Sequence, residues 1–226
     1  MGNKEVKILL IGPRYSPEKK NVGGATLSFE LIVDYFNEKN ISYQLVDTQK
    51  YQGAKGFLYL LFSSLVRVAK VDVIFMNTSQ KGIKYFAPII NLMAILFGKK
   101  IIFRPFGGAL KAMYEESGSF GKWVFENSIM KADILYLQTN ILMNFFAPKS
   151  KNCIQLKTAR SQPDQVYSRG NIEYRKRLLF VGHVKQTKGI DELIQANELL
   201  DESYVLDIYG PIGDRKYQNL ADDKKG

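Results

Sequence analysis

Short apolar runs alternate along this chain with longer segments in which apolar residues recur at helical spacing. The runs are continuous, which is typical of strands buried on both faces of a parallel sheet. The pattern predicts strands at Val6–Gly12, Ile41–Asp47, Val71–Asn77, Ala132–Gln138, Asn152–Lys157, Leu178–Val181 and Tyr204–Gly210, and a further strand after Gly98 in the segment KKIIFRPFGG. It predicts helices at Ala25–Asn40, Gly56–Lys70, Tyr85–Phe97, Phe120–Lys131, Asn140–Phe146 and Ile190–Leu200.

This regular alternation predicts an α/β fold with a Rossmann-like, doubly wound parallel sheet, in which ligands bind at the carboxyl ends of the strands. The periodicity breaks near residues 161–176, where Pro163, Gly170 and mixed charges predict an interdomain linker. We therefore predict a first domain at residues 1–160 and the first part of a second Rossmann-like domain at residues 177–226. A complete domain of this kind needs about 100–150 residues, so we expect the second domain to be incomplete.

The charge of the chain indicates an anionic partner, because 32 Lys and Arg against 22 Asp and Glu give a formal net charge of +10. Phosphorylated sugars, anionic lipids and nucleic acids all have the required sign, but no nucleic-acid-binding motif is recognisable. The single cysteine, Cys153, excludes an internal disulfide and a cysteine-based metal site. We expect it to be a small buried side chain in a reducing compartment, and we expect no metal cofactor.

Two segments, Gly56–Lys70 and Tyr85–Phe97, are unusually apolar and aromatic. Neither approaches the ~18–20 apolar residues that span a bilayer, and the start of the chain does not resemble a signal peptide. We expect a cytoplasmic protein in which both segments are buried helices. Flanking Lys and Arg residues leave an alternative open, in which these helices contact the inner face of the plasma membrane peripherally.

Glycines and polar residues follow several predicted strands of the first domain. Because parallel strands end at one edge of a sheet, these residues are predicted to lie together and to line a ligand site. Gly23 and Gly24, at a helix start, would let a ligand approach the backbone, although a flexible turn is the simpler explanation of a Gly-Gly pair. The segment is not a GxGxxG fingerprint, which disfavours a nicotinamide enzyme. The predicted set is Gly23, Gly24, Asn77, Thr78, Arg104, Phe106, Gly107 and Gly108.

A second candidate site follows the strand Leu178–Val181. A short polar loop leads from this strand into the helix at Ile190, so backbone N–H groups and nearby ammonium groups can converge on one anion. Phosphate is the expected ligand, although His183 alone could equally be an ordinary surface residue. The predicted phosphate-binding residues are Gly182, His183, Lys185, Lys188 and Gly189.

Several segments, in this order, resemble group 1 (family 4) retaining glycosyltransferases of the GT-B fold: VKILLIG with the Gly23-Gly24 helix start, FRPFGG, FVGHVKQTKG and LDIYGP. In that family two Rossmann-like domains face each other across a cleft, the first holding the acceptor and the second the nucleotide-sugar. The resemblance implies that Lys188 grips the donor diphosphate, and that Lys185 or His183 is a second cation where relatives often have Arg.

Some positions depart from the family pattern. Phe106 stands where many relatives have a histidine, so Arg104 is expected to supply polarity there, and Arg160 is expected to act at the hinge or in substrate contact. Relatives also carry a Glu-x7-Glu segment well beyond the position of Tyr209, and this chain ends before such a segment. We therefore expect the 226-residue chain on its own to show no detectable transfer and to bind a nucleotide-sugar only weakly.

The resemblance implies transfer of a sugar, with retention, from a nucleotide-diphosphate sugar to a saccharide acceptor in the synthesis of cell-surface polysaccharide or glycolipid. The positive charge and the apolar helices favour a lipid-linked acceptor. The alternative is a non-catalytic, glycosyltransferase-like binding subunit that a partner chain completes.

Overall fold

The computed structural model describes residues 6–17, 23–51, 53–108, 110–159 and 176–218. The chain divides into two compact units, Met1–Pro163 and Asp164–Gly226. Arg160 and residues 161–175 of the predicted linker lie outside the described residues.

The first unit is built on one sheet whose neighbouring strands are all parallel. Its strands are β1 (Ile8–Gly12), β2 (Tyr43–Asp47), β3 (Val73–Thr78), β4 (Lys100–Pro105), β5 (Ile134–Leu137) and β6 (Cys153–Gln155). They lie in the order β2-β1-β3-β4-β5-β6. The predicted α/β class with a Rossmann-like parallel sheet is confirmed, and each strand predicted for this unit is present.

The connections between these strands are mainly helical. The helices are α1 (Gly24–Glu38), α2 (Gly53–Val68), α3 (Gln80–Tyr85), α4 (Ala87–Leu96), α5 (Leu110–Glu115), α6 (Ser119–Ser128) and α7 (Asn140–Phe146). The helices predicted for this unit correspond to α1, α2, α4, α6 and α7. Pro88 lies in the first turn of α4, where a missing N–H leaves no helical hydrogen bond unmade. Helices α3 and α5 were not predicted, because six residues are too few to show an apolar period.

The helices divide unequally between the two faces of the sheet. Leu10 of β1 packs with Phe29 and Val33 of α1, whereas Leu9 and Ile11 belong to a larger core formed with the other helices. The connection from β1 to β2 runs in one direction across the sheet, and every later connection runs in the other. Because such crossovers are right-handed, the two directions place helices on opposite faces. Of the described helices in this unit, α1 alone therefore covers its face.

The two unusually apolar segments form α2 and α4, and the expectation that both helices are buried is wrong. Each helix has one buried side in the core, represented by Val68 and Ile90. Each also has an exposed apolar side, represented by Phe62 and Leu96. The physical reason is position, since both helices form an outer layer that meets the sheet on one side only.

Asp133 ties the beginning of β4 to the segment before β5. Its carboxylate accepts hydrogen bonds from the Ile101 N–H (2.9 Å) and from Lys100 Nζ (2.9 Å), and Lys151 Nζ lies 3.6 Å away. Burial by itself raises the pKa of Asp133, but these hydrogen bonds and the two positive charges outweigh burial and hold the pKa below its usual value.

We expect Asp133→Asn to lower the free energy of unfolding by about 1–2 kcal/mol at neutral pH, because charge-assisted hydrogen bonds are lost. A carboxyl whose pKa is lowered by folding stabilises the protein above its unfolded pKa, and this stabilisation is lost as the pH falls through the folded pKa. In urea unfolding, the difference between the two proteins should therefore vanish below about pH 3. A difference that persists undiminished in acid would show that the carboxylate charge does not stabilise the fold.

The second unit contains β7 (Arg177–Val181), α8 (Ile190–Glu198) and β8 (Val205–Tyr209), and its two strands form a parallel pair. All three elements were predicted. Val184, Ile190 and Tyr217 form the described core of this unit. Within the described ranges of the chain, every helix is too short or too polar to cross a membrane.

Candidate functional site

The first candidate site lies at the carboxyl ends of β1, β3 and β4. The chain reverses its winding direction between β1 and β3, and α/β sheets bind ligands at such a reversal. The amino end of α1 lies here, and its first residue is Gly24. Gly23 is the N-cap of this helix, and a β-carbon at Gly23 would meet no atom of the described residues within 4 Å. The start of α1 therefore has room for a ligand.

Asn77, near the end of β3, is a buried polar residue with an unusual environment. It is 0% exposed and lies on the α1 side of the sheet, because side chains alternate along a strand and Phe75 packs on that side. Neither its amide nitrogen nor its amide oxygen has a hydrogen-bond partner among the described residues. An unpaired buried amide costs roughly 1–3 kcal/mol, so its presence indicates a partner such as a ligand or an ordered water.

Arg104 is the register neighbour of Asn77 on β4 and is also buried. Its Nη1 donates a hydrogen bond to the carbonyl oxygen of Ser28 in α1 (3.4 Å). Its guanidinium lies 4.7 Å from the ring centroid of Phe106, where the negative face of the ring attracts a cation. Together, α1 and the segment after β4 hold a positive charge beside Asn77.

The segment after β4 turns at Gly107, whose φ of +98° lies in the region that favours glycine. The Phe106 N–H donates a hydrogen bond to the carbonyl oxygen of Thr78 (2.8 Å), which holds this segment against β3. Gly108 is exposed, and within the part of the chain that the structure describes, a β-carbon there would meet no atom within 4 Å. The structure thus places all the predicted residues of this unit at one edge of the sheet, apart from Arg160, which is outside the described residues.

A cavity of about 340 Å³ opens beside this edge, between β3, α2 and α3. Its volume is within the range of small-molecule sites, ~300–1,000 Å³. Thr48 and Thr78 contribute to its polar wall, and Tyr51 and Phe57 contribute aromatic rings to its apolar wall. The cavity borders Asn77 from the side of β3 opposite to the Asn77 side chain. Thr48, Tyr51 and Phe57 were not predicted, because their spacing shows no motif. A second cavity, of about 430 Å³, lies on the α1 side of the sheet and reaches Arg104.

The second candidate site is the loop between β7 and α8, here called the phosphate loop (Gly182–Gly189). The Gly182 N–H donates to the carbonyl oxygen of Tyr209 (2.9 Å), and the Val184 N–H donates to that of Pro211 (3.0 Å). Gly189 is the N-cap of α8, with a φ of +75° that favours glycine. The loop is therefore held against the end of β8 and leads directly into a helix start.

Three basic side chains lie on the phosphate loop. Lys188 and His183 are exposed, and Lys185 is half-buried. Within the described part of the chain, neither Lys185 nor Lys188 forms an ion pair. Positive charges without acidic partners, next to the positive end of a helix dipole, are suited to bind a phosphate group.

Two acidic residues, Asp191 and Glu192, occupy the first turn of α8 and would repel an anion if their charges were unbalanced. Asp191 accepts hydrogen bonds from Lys216 Nζ (2.6 Å) and from the Tyr217 hydroxyl (2.8 Å), and these bonds lower the pKa of Asp191. Its charge is already balanced by Lys216. Glu192 remains a competing charge, which Lys185 and Lys188 outnumber.

The sequence analysis missed Asp214, which accepts a hydrogen bond from the Gln186 N–H (2.8 Å) and so helps to fix the phosphate loop. Periodicity cannot reveal such a residue, since it lies in a loop and its partner is a backbone group. In the ranges that the structure describes, no cluster of three or more His, Cys, Asp or Glu side chains could hold a metal ion.

Two solved structures are similar to this chain: HepE from Anabaena in complex with UDP and glucose, and the same protein in complex with UDP. The TM-scores are 0.58 and 0.59, with 12% sequence identity and 96% of this chain covered in both cases. The chain spans 64% of the length of each structure. No protein-family profile matches the chain, and no curated protein matches its sequence. The likeness shows the fold, which is the Rossmann-like GT-B fold.

Proposed function

We propose that this chain acts in glycosyl transfer from a nucleotide-diphosphate sugar and binds the diphosphate at its phosphate loop. The observation that carries the proposal is the pair Lys185 and Lys188, which lack acidic partners among the described residues and lie at the start of α8. A diphosphate has the charge and the oxygen atoms that such a loop binds. The HepE structures, which share the fold, contain UDP.

In the proposed reaction, the bond between the anomeric carbon and the diphosphate oxygen breaks, and the acceptor hydroxyl oxygen bonds to that carbon. The hydroxyl proton passes to the departing diphosphate. Negative charge grows on the diphosphate as it leaves, and Lys188 and Lys185 stabilise that charge. Because these lysines and the start of α8 balance the diphosphate, the proposal includes no metal ion. In the proposed reaction, the product keeps the anomeric configuration of the donor sugar.

The acceptor in this proposal binds at the carboxyl edge of the first unit. Asn77 has an unpaired amide donor and acceptor there, and either could pair with a sugar hydroxyl. The cavity beside it combines polar groups with the rings of Tyr51 and Phe57. A saccharide linked to a lipid, as used in the synthesis of cell-surface polysaccharide or glycolipid, has both kinds of surface.

A transfer assay with radiolabelled nucleotide-diphosphate sugars and a membrane extract tests this proposal. Transfer is detected as label in a lipid or polysaccharide fraction, with the anomeric configuration of the donor retained in the product. UDP binding is measured in parallel by calorimetry. Binding without transfer would favour the alternative, a non-catalytic binding subunit that a partner chain completes. Neither binding nor transfer with any donor tried would overturn the proposal.

Asn77→Ala tests the acceptor site. We expect the free energy of unfolding to stay constant or to rise by about 1 kcal/mol, because the variant removes an unpaired buried amide. Transfer should fall by roughly tenfold or more as the acceptor loses its hydrogen bonds. Asn91→Ala, which changes another buried asparagine on α4, is the matched control and should leave transfer unchanged. Normal transfer by Asn77→Ala would show that Asn77 does not hold the acceptor.

A further inference from the structure

The α2 helix is apolar on its outward side as well as on its core-facing side. Its core-facing positions include the small or polar residues Gly56, Ser63 and Ser64, all of them buried. Its outward positions include Leu58, which is 63% exposed, and Phe62, which is 70% exposed. Val68 and the partly buried Leu60 and Leu61 also pack in the core from this helix. Leu58 and Phe62 make no comparable contribution to the core, so packing within the unit does not explain them.

The neighbouring helix, α4, is also apolar on its outward side, while Ile90 and Met93 on its other side belong to the core. Its outward residues Leu92, Ile95 and Leu96 follow one helical stripe, and Leu96 is 72% exposed. The α4 helix packs between α2 and α6 on the same face of the sheet. On α6, the exposed rings of Phe120 and Trp123 stack at 6.0 Å between centroids.

These helices together form one surface, here called the apolar face, whose main residues are Leu58, Phe62, Leu65, Leu92, Ile95 and Leu96. Monomeric soluble proteins rarely expose a contiguous apolar surface of this kind, which is usually a contact for another molecule. The buried side of each helix is anchored in the core. The apolar face is therefore part of a stable layer and not a loosely packed segment.

The charge around the apolar face indicates which molecule it contacts. The sequence of α2, of α4 and of the residues just after each helix, Gly53–Lys70 and Ala87–Lys99, holds four Lys and Arg residues and no acidic residue. Arg67 lies in the last turn of α2, and Lys99 follows α4. Lysine and arginine beside exposed aliphatic and aromatic side chains match a surface that has anionic headgroups above acyl chains.

We propose that the apolar face is a docking surface for an anionic lipid bilayer, in which α2 and α4 lie parallel to the membrane and insert their outward side chains. The rings of α6 lie at the border of the inserted surface. Neither a nucleotide-sugar nor an acceptor is needed for this docking, so it stands or falls separately from the proposed function.

Trp123 is the one tryptophan of the chain, so its intrinsic fluorescence reports on binding of the unchanged protein. Vesicles of phosphatidylcholine and phosphatidylglycerol in equal parts should shift the Trp123 emission to shorter wavelength, and brominated acyl chains should quench it. Cosedimentation with these vesicles should weaken as salt is added, because ions screen the basic residues. Phosphatidylcholine vesicles alone should bind the protein more weakly.

The double variant Phe62→Ser/Leu96→Ser tests the apolar face directly. Both side chains are mostly exposed, so the fold should persist, which a thermal melt checks. We expect its partition onto the anionic vesicles to fall at least about tenfold, since two large apolar groups no longer leave water. The matched control is Leu27→Ser/Tyr35→Ser, which removes two exposed apolar side chains from α1 on the opposite face of the sheet. The control should partition like the unchanged protein.

Three results would overturn the proposal. The first is recovery of the unchanged protein in the supernatant with and without vesicles. The second is equal partition of the Phe62→Ser/Leu96→Ser variant and the unchanged protein. The third is self-association in the absence of lipid that the variant abolishes, together with no binding to vesicles, which would identify a second copy of the chain as the partner.

Discussion

Lys188→Ala should slow sugar transfer by on the order of 100-fold or more, which is the scale for losing one group that stabilises charge in the transition state. Lys188 is exposed on the phosphate loop, and its backbone N–H bonds to the carbonyl oxygen of Lys185 (2.9 Å). Alanine keeps that backbone bond, so the loop should keep its shape while one positive charge disappears. The same variant should bind UDP about tenfold more weakly or worse in calorimetry.

Lys176→Ala is the matched control for this prediction. Lys176 precedes β7 and forms an ion pair with Asp201 (3.3 Å), at the opposite end of the strand from the phosphate loop. The control removes the same charge from the same unit, and it should leave transfer and UDP binding close to those of the unchanged protein. Equal transfer by Lys188→Ala and Lys176→Ala would remove Lys188 from the proposed diphosphate site.

Gly210→Ala should unfold the junction between β7 and β8. A β-carbon at Gly210 would lie 1.8 Å from the carbonyl oxygen of Gly182. The position of a β-carbon is fixed by its own backbone, and the oxygen is a backbone atom, so no side-chain rotation can relieve the clash. The φ of Gly210, +150°, is also one that residues with a side chain rarely adopt. We expect a loss of about 3 kcal/mol or more in the stability of this unit.

Amide hydrogen exchange measures this effect at the site of the clash. The N–H groups of Gly182 and Val184 bond to Tyr209 and Pro211, and both should exchange on the order of 100-fold faster in Gly210→Ala. Gly213→Ala is the control, because its β-carbon would lie 3.3 Å from Lys185 Cβ and a small shift can relieve that contact. Equal protection of these amides in both variants would contradict the predicted clash.

The apolar pattern predicted the architecture of this chain well, because in each long strand or helix the apolar residues recur at a spacing that identifies the element. Continuous runs such as Leu9–Ile11 are buried on both sides, and the helix of Phe29 and Val33 shows its apolar stripe in the sequence. Elements as short as α3 and α5 were missed, because one and a half turns of helix cannot be told from a loop by period. The predicted burial of α2 and α4 was wrong, because hydrophobicity alone does not say which side of a helix meets the core.

The candidate residues were also predicted unevenly. Glycines and polar residues after strands, such as Asn77 and Arg104, can be found because parallel strands share one carboxyl edge. Residues that contribute to a site by contacting a residue distant in the sequence leave no such signal. Asp214 supports the phosphate loop through a backbone N–H, and Tyr51 reaches the cavity from the segment before α2.

The sequence by itself determined the α/β class, the strands and long helices, and the basic loop before α8, because period, turn residues and charge are local properties. Tertiary structure alone decided the reversal between β1 and β3, which leaves α1 on its own face of the sheet. It also decided that Asn77 and Arg104 are register neighbours, and that Phe62 and Leu96 point outward while Ser64 is buried. These features depend on strand order and on the direction of each crossover, and both arise from contacts between segments that are distant in the chain.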